Sequence, residues 1–243
     1  MKKYELTAEF IEQWGKKLFR IKALISFGSV EAGELGGYVE KEDNLAQDGD
    51  AWVCDNAWVC DNARVCDNAR VYGNARVCGN ARVCGNARVC SNARVCDNAR
   101  VYDNVMVYGN AWVCDNARVY GNARVCGNAW VCDNARVYGN ARVCGNARVC
   151  GNARVCDNAD YLLIGRIGSR FSFTTFFKNK DKGITVSCGC FLGTIAEFRA
   201  KVTDTHGNNK HAKIYNLAAD MAELQILGEE HFDKLNTNKS EPF

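Results

Sequence analysis

Apolar and polar positions follow a single six-residue pattern between residues 51 and 158. The pattern is Ala, usually Arg or Trp, Val, Cys or Tyr, usually Asp or Gly, then Asn, and it occurs eighteen times without an insertion. The Val and Asn slots never vary, and Val105 is the single departure from the Ala slot. So strict a period is not that of an ordinary globular core, and it predicts a solenoid of stacked repeats.

Each hexad is predicted to form a short strand followed by a turn. Because six is a multiple of two, every repeat places a given slot on the same side of an extended chain. Ala and the β-branched Val then point inward, while the Arg and Cys slots point outward. Gly-Asn or Asp-Asn supplies the corner, since these residues tolerate left-handed backbone angles. Stacked corner asparagines are expected to form hydrogen-bonded ladders.

The repeats place an aliphatic residue four positions before a small one, as in Val53 and Ala57 or Val125 and Ala129. In this spacing the chain resembles the hexapeptide-repeat proteins, which fold as left-handed parallel β-helices. The resemblance covers nearly half of the chain. It implies three hexads per coil, so that eighteen hexads make six coils of a triangular prism.

Three hexads per coil would sort the outward slots into three unequal faces. What we call the cysteine face carries Cys60, Cys78, Cys96, Cys114, Cys132 and Cys150 beside Trp58, Arg76, Arg94, Trp112, Trp130 and Arg148. The arginine face carries Arg64, Arg82, Arg100, Arg118, Arg136 and Arg154 beside Cys66, Cys84, Tyr102, Tyr120, Tyr138 and Cys156. The mixed face carries Cys54, Tyr72, Cys90, Tyr108, Cys126 and Cys144 beside Trp52, Arg70, Arg88, Met106, Arg124 and Arg142.

The cysteine face is the most apolar of the three. A long exposed apolar strip usually marks an interface, so we expect homo-oligomerisation through this face. Its candidate interface residues are Trp58, Trp112, Trp130, Cys96, Cys114 and Cys132. The alternative is that cysteine is only a tolerated small strand former there.

Thirteen of the fifteen cysteines share one slot with five tyrosines. Because tyrosine cannot form a disulfide, a slot that accepts either residue does not require a covalent bond. Reduced thiols are therefore expected, as in cytoplasmic proteins. Neighbouring cysteines fall within the Cα range of a disulfide, but their parallel side chains predict distortion on bridging. A zinc or redox array is the alternative. Because no His joins the columns, no metal or cofactor is predicted.

The arginine face could meet an anionic ligand through Arg82, Arg100, Arg118 and Arg136, with tyrosines beside them for stacking. However, Asp fills eight of the eighteen corner slots, and the net charge of residues 51–160 is only +4. Arg–Asp pairing on a solvated, self-neutralising face is therefore favoured. Nucleic acid is not a favoured partner at this charge.

Acyl transfer is the obvious enzymatic alternative, because many hexapeptide-repeat proteins are acyltransferases. Those enzymes use a general base, usually a histidine on a coil, and a loop that interrupts the repeat. Here His206, His211 and His231 all lie outside the hexads, and no loop interrupts them. The resemblance thus implies the fold but no catalytic residue.

The first fifty residues are predicted to cap the solenoid. Leu6 to Lys17 has helix-like spacing, and Lys17 to Ala23 alternates like a strand. Val39, Leu45 and Ala51 are already six apart, which indicates degenerate coils before the regular repeats. The string from Phe27 to Val53 resembles the start of bacterial and bacteriophage hexapeptide-repeat proteins. We therefore divide the chain at residues 1–50, 51–159 and 160–243.

Residues 160–243 are predicted to form a small α+β module of two strands and two helices, ending in a flexible tail. The strands are expected around 170–177 and 183–191. A capping box of Thr194 and Glu197 begins one helix, and the second is expected from about His211 to Leu227. The module resembles one found at the end of phage and prophage proteins.

Two groups of polar residues in this module are candidate sites. Arg170, Thr174, Thr175 and Lys178 could bind an anion, although an ordinary polar strand face is favoured. Cys188 and Cys190, together with His206, could form a zinc site or a thiol site, although buried strand cysteines are commoner.

The formal charge of +3 neither demands nor excludes a nucleic-acid partner. No leader or membrane-spanning run is recognisable, so a cytoplasmic location in a bacterial host is expected. The prediction is a non-catalytic β-solenoid scaffold or binding protein of phage or prophage type, which self-associates and presents its C-terminal module. The alternative is a sequestering protein that binds a nucleotide signal or a host macromolecule through basic residues.

Overall fold

A computed structural model describes residues 2–230. Its N-terminal strands are β1 (Tyr4–Gln13), β2 (Lys16–Ala23) and β3 (Leu35–Val39). Strands β4–β21 are, in order, Trp52–Val53, Trp58–Val59, Arg64–Val65, Arg70–Val71, Arg76–Val77, Arg82–Val83, Arg88–Val89, Arg94–Val95, Arg100–Val101, Met106–Val107, Trp112–Val113, Arg118–Val119, Arg124–Val125, Trp130–Val131, Arg136–Val137, Arg142–Val143, Arg148–Val149 and Arg154–Val155. The C-terminal elements are β22 (Tyr161–Ile167), β23 (Ser172–Lys178), β24 (Ile184–Cys188), β25 (Phe191–Thr194), α1 (Ile195–His206) and α2 (Lys210–Leu227).

Strand pairing confirms three hexads per coil. Each hexad strand pairs in parallel with the strands eighteen residues before and after it, so that Arg100 aligns with Arg82 and with Arg118. Three parallel sheets result, one for each predicted face. The left-handed sense of the coil stays a prediction.

The inward slots form one continuous core. Every repeat Val is fully buried, and so is every repeat Ala, together with Val105 in the Ala slot. A single hexad has nothing to bury its Val against, whereas stacking gives each Val neighbours above and below. The core is therefore a product of the stacking and not of any one repeat.

The corners behave as their residue types predict. Asp and Gly both adopt positive φ there, as at Asp97 (59°) and Gly79 (68°). The predicted asparagine ladders are confirmed: Asn80 donates to the side-chain oxygen of Asn98 at 3.0 Å, and Asn98 donates to Asn116 at 3.2 Å. Each corner is thus tied to the next coil by side chain as well as by backbone.

The predicted helix from Leu6 to Lys17 is wrong, because this segment is strand β1 followed by a turn. β1 pairs antiparallel with β2 across a hairpin at Trp14 and Gly15, whose φ angles are 52° and 75°. Two positive φ angles are what a two-residue hairpin turn needs. The apolar spacing suggested a helix, but edge pairing with β2 decides the conformation.

A degenerate coil precedes the regular ones, at the positions that the six-residue spacing predicts. β3 pairs in parallel with β5, which aligns Val39 with Val59, and Leu45 pairs with Val65. Lys3 Nζ caps the open end by donating to the Ala51 carbonyl at 3.0 Å. The hairpin β1–β2 continues the cysteine-face sheet beyond β3 and occupies its edge.

The C-terminal module contains a four-stranded antiparallel sheet in the order β22-β23-β24-β25, with both helices packed on it. Sequence patterns predicted only the two inner strands. Both helices are confirmed, and Thr194 and Glu197 form the expected capping box at the start of α1. The predicted flexible tail lies in 231–243, outside the described residues.

This module closes the last coil. Phe177 is fully buried and belongs to the solenoid core, while the backbone N–H of Arg148 donates to Thr175 Oγ1 at 3.0 Å. Residue Ala153 also forms an isolated antiparallel bridge with Asn179. In residues 2–230, neither helix combines the length and the apolar character needed to cross a membrane.

Candidate functional site

The clearest candidate site is a cavity of about 370 Å³ in the C-terminal module. This volume lies at the lower end of the range for small-molecule pockets. Three parts of the module line it: the β22–β23 loop, the β24–β25 corner and the facing sides of the two helices. The lining residues are Ser169, Arg170, Ser172, Cys188, Gly189, Phe191, Phe198, Lys201, Val202, Thr205, His206 and Tyr215.

Aromatic rings form one wall of this pocket. Phe198 is buried and meets Tyr215 edge-to-face at 5.6 Å between ring centroids, and Phe191 lies 5.7 Å from Phe198. The His206 ring stacks on Tyr215 at 5.8 Å. Such mutually packed rings hold a fixed apolar surface, which suits the flat body of an organic ligand.

The polar side of the pocket is basic. Arg170 and Lys201 both line it, and none of the described lining residues is a carboxylic acid. Arg170 is exposed and has no carboxylate within 4 Å in residues 2–230, whereas Lys201 pairs with Asp204 at 3.1 Å. Burial, together with the adjacent Cys188, raises the pKa of Tyr215 to about 12, so its hydroxyl stays protonated. An anionic group with an aromatic body fits this arrangement.

Two of the predicted anion-binding residues are not available at the surface. Thr174 is 1 % exposed and donates from Oγ1 to Cys188 Sγ at 3.2 Å, and Thr175 is 2 % exposed and accepts from Arg148. The predicted patch is therefore wrong in including them. Successive residues of β23 point to opposite faces of the sheet, and both faces are covered, by the helices on the side of Phe176 and by the last coil on the side of Phe177. Lys178 pairs with Asp160 at 3.0 Å, so of the four residues only Arg170 faces a ligand space.

The fold brings together only two of the three residues of the predicted thiol or zinc site. Cys188 and His206 line the same pocket, while Cys190 is exposed at the β24–β25 turn. Among the described residues, these three do not form a cluster with ligand-to-ligand spacing suited to a metal. The pocket thus combines residues that sequence patterns assigned to two separate sites.

The arginine face carries an uninterrupted column of guanidinium groups. Arg82 and Arg100 are exposed, while Arg118 and Arg136 are half-buried. Beside them, Tyr120 stacks on Tyr102 at 5.2 Å and on Tyr138 at 5.0 Å. Tyr120 is therefore covered on both ring faces by the neighbouring tyrosines.

The predicted Arg–Asp pairing across the hexads is wrong. Within residues 2–230, no repeat arginine has a carboxylate oxygen within 4 Å. The corner carboxylates accept instead from backbone N–H groups of the next coil, as Asp67 does from Gly85 at 2.8 Å and Asp103 from Gly121 at 3.0 Å. The corner Asp carboxylates therefore bind the backbone of the next corner, and in residues 2–230 the repeat arginines have no carboxylate partner.

The cysteine face is less open than the sequence predicts. Trp58 is only 4 % exposed and packs against Trp14 at 5.0 Å. Trp112 and Trp130 stack at 4.8 Å, with Arg94 and Arg148 over their outer faces at 4.7 and 5.0 Å. The two half-exposed tryptophans are therefore sandwiched between cations, and the face does not present a bare apolar strip.

The expectation of uniformly reduced thiols is wrong for four cysteines. Cys132 and Cys150 on the cysteine face are joined as a disulfide, and so are Cys126 and Cys144 on the mixed face. Their Cα atoms lie 4.8 and 4.7 Å apart, within the usual range for a disulfide. The other eleven cysteines are free.

Sequence reasoning missed most of the pocket. Phe191, Phe198, Lys201 and Tyr215 come from elements up to twenty-four residues apart, and no local pattern links them. One signal was available: Phe198 and Val202 in α1, and Tyr215, Ala219 and Ala222 in α2, recur three or four residues apart, which places them on the buried sides of those helices.

Comparison with known proteins agrees with the repeat architecture. Residues 63–79, 75–91, 99–115, 117–133, 129–145 and 135–151 match the family model described as YdcK Beta solenoid repeat. No curated protein matches the chain. Together with the stacked coils, the matched segments define the chain as a β-solenoid repeat protein.

Proposed function

We propose that this chain is a non-catalytic binding protein whose β-solenoid presents the C-terminal module, and that the pocket of this module binds a small organic anion with an aromatic body, such as a nucleotide. The observation that carries the proposal is the pairing of the unpartnered Arg170 guanidinium with the Phe198–Tyr215 wall in one cavity. Arginine binds phosphate or carboxylate groups through paired hydrogen bonds, and the rings accept a flat body.

The experiment measures binding of 8-anilinonaphthalene-1-sulfonate by its fluorescence, with nucleoside monophosphates as competitors. We expect Arg170→Ala to weaken binding by about 10-fold or more, because a hydrogen bond to a charged group contributes about 1.5–3 kcal/mol.

Two matched variants separate this pocket from other basic sites. Arg166→Ala removes an exposed arginine of the same module that does not line the pocket, and we expect it to bind like the unchanged protein. The double variant Arg100→Ala with Arg118→Ala tests the arginine face as an alternative anion site. Equal losses in the pocket and arginine-face variants, or no loss with Arg170→Ala, would refute the proposal.

Self-association remains part of the proposal, and we now place it on α2. Ile214, Leu217, Met221 and Leu224 are 38–62 % exposed and recur three and four residues apart on the side of α2 that faces away from the sheet. That spacing is typical of helices that pair with a second helix of the same kind. A second copy of the chain would cover both stripes at once through a two-fold axis.

Light scattering of two double variants locates the interface. We expect Leu217→Lys with Met221→Lys to reduce the mass from that of an oligomer to that of a monomer, because two charges would be buried in the interface. Trp112→Arg with Trp130→Arg is the counterpart on the cysteine face, and we expect it to keep the oligomer. If only the tryptophan variant loses mass, the interface lies on the cysteine face and the proposal for α2 is wrong.

The phage or prophage origin also belongs to the proposal. It is supported by the resemblance of the Phe27–Val53 string and of the C-terminal module to parts of such proteins. The acyltransferase alternative gains no support from the described coils, whose hexads follow one another from Ala51 to Asn158 without an inserted loop.

A further inference from the structure

Six cysteines form an uninterrupted column along the cysteine face, with one in each coil. The strands that carry them pair in register, so that Arg94 aligns with both Arg76 and Trp112. Each cysteine therefore follows the last by one strand spacing, roughly 4.8 Å. In this column Cys60, Cys78, Cys96 and Cys114 are free, and Cys132 and Cys150 form a disulfide.

Adjacent coils place two cysteines within disulfide reach, but coils two apart do not. The bonded pair has a Cα separation of 4.8 Å. The same parallel register holds for the free members, so Cys96 meets both Cys78 and Cys114 at this spacing. Two coils separate Cys60 from Cys96 by roughly twice that distance, beyond the limit of about 7 Å for bridging without backbone movement.

We propose that the cysteine column is a thiol–disulfide exchange site that reduces low-molecular-weight disulfides and stores the oxidation as disulfides between adjacent coils. A thiolate of the column attacks one sulfur of the small disulfide, which releases one small thiol and leaves a mixed disulfide. The cysteine one coil away then displaces the second small thiol. Two column thiols are oxidised, one small disulfide is reduced, and the two thiol protons leave with the two products.

Cys78 is the member best placed to attack first. It is half-buried, whereas Cys60 is buried beneath the N-terminal hairpin. The adjacent Cys60 and Cys96 thiols lower the pKa of Cys78, and the nearby Lys16 and Arg94 lower it further. Thiolates near cations are the reactive form of cysteine, and both neighbours of Cys78 can resolve the mixed disulfide.

A disulfide can also move along the column. Cys114 is free and lies one coil from Cys132, which is already bonded to Cys150. Attack of Cys114 on Cys132 would release Cys150, with no net change in the number of disulfides. Some cysteines of the other faces have tyrosines in the adjacent coils and therefore no cysteine with which to exchange. Cys90, between Tyr72 and Tyr108, is an example.

Two variants with the same number of thiols test the spacing. Cys78→Ser with Cys114→Ser leaves Cys60 and Cys96 two coils apart, and Cys60→Ser with Cys78→Ser leaves Cys96 and Cys114 adjacent. Each protein is reduced, freed of reductant without air, and mixed with oxidised glutathione. The protein thiols lost and the glutathione bound to the protein are then counted, and half of their difference is the number of disulfides within the protein.

We expect the variant that keeps the adjacent pair to form one more disulfide within the protein than the variant with the separated pair, whose lone thiols can only retain glutathione as mixed disulfides. Circular dichroism checks that both fold alike. In the unsubstituted protein, tryptic mapping is expected to find links between cysteines eighteen residues apart. Equal numbers of internal disulfides in the two variants, or links that join cysteines of different columns, would overturn the proposal.

Discussion

Val101→Asp is expected to unfold the middle of the solenoid. Val101 is fully buried, and its neighbours in the core are Val83 and Val119 of the coils on either side. The substitution loses about 1.5–3 kcal/mol of apolar burial and adds the larger cost of an unpaired charge in an apolar interior. We expect a loss of at least about 5 kcal/mol in the free energy of unfolding.

Chemical denaturation followed by circular dichroism measures this loss. Because a protonated carboxyl is cheaper to bury than a carboxylate, the loss should shrink at acid pH. Arg100→Asp is the matched control, since it places the same group one residue earlier on the exposed side of the same strand. We expect it to change stability by no more than about 0.5 kcal/mol. Similar losses from both variants would contradict the inward and outward assignment of the slots.

Arg199→Met is expected to destabilise the C-terminal module while leaving the solenoid folded. Arg199 donates to Glu223 and to Asp220, both at 2.7 Å, and the Glu223 side chain is only 8 % exposed. Removing the arginine leaves a buried carboxylate without its partner, which costs about 3–5 kcal/mol. Hydrogen exchange should show faster exchange in α1 and α2, with the hexad strands unchanged.

Lys201→Met is the matched control on the same helix. Lys201 pairs with Asp204, but both side chains are more than 60 % exposed, so we expect a loss of at most about 1 kcal/mol. Adding Glu223→Leu to Arg199→Met should recover most of the stability, because the buried charge is then gone. Failure of that double variant to recover would mean that packing of the Arg199 stem, and not the ion pair, holds the helices together.

The hexad itself predicted the inner structure of the solenoid. A residue type that recurs every six positions must recur on the same side of a strand, and Val and Ala are the types that fill a narrow interior. The left-handed angles at Asp97 and Gly79 and the ladder through Asn98 follow from residue type alone. These features depend on residues within one hexad or on the same residues in the next coil, so a single repeat is enough to predict them.

Features that depend on what lies beside a segment were not predictable in this way. The β1 segment has helix-like spacing, but pairing with β2 across the Trp14–Gly15 turn overrides it. In the same way, Asp was expected to pair with Arg, because charge alone suggests this. Only the stacked coils show that the backbone N–H of the next corner lies closer to Asp67 than any guanidinium does.

By itself, then, the sequence determined the coil: its period, its Val and Ala interior, its corners and its asparagine ladders. Only the tertiary structure decided what the outward residues do. It placed Arg148 and Arg94 over the tryptophans, bonded Cys132 to Cys150, and gathered Arg170 and Tyr215 into one pocket. The physical reason is that a repeat specifies contacts by translation, whereas a face or a pocket depends on residues far apart in the chain.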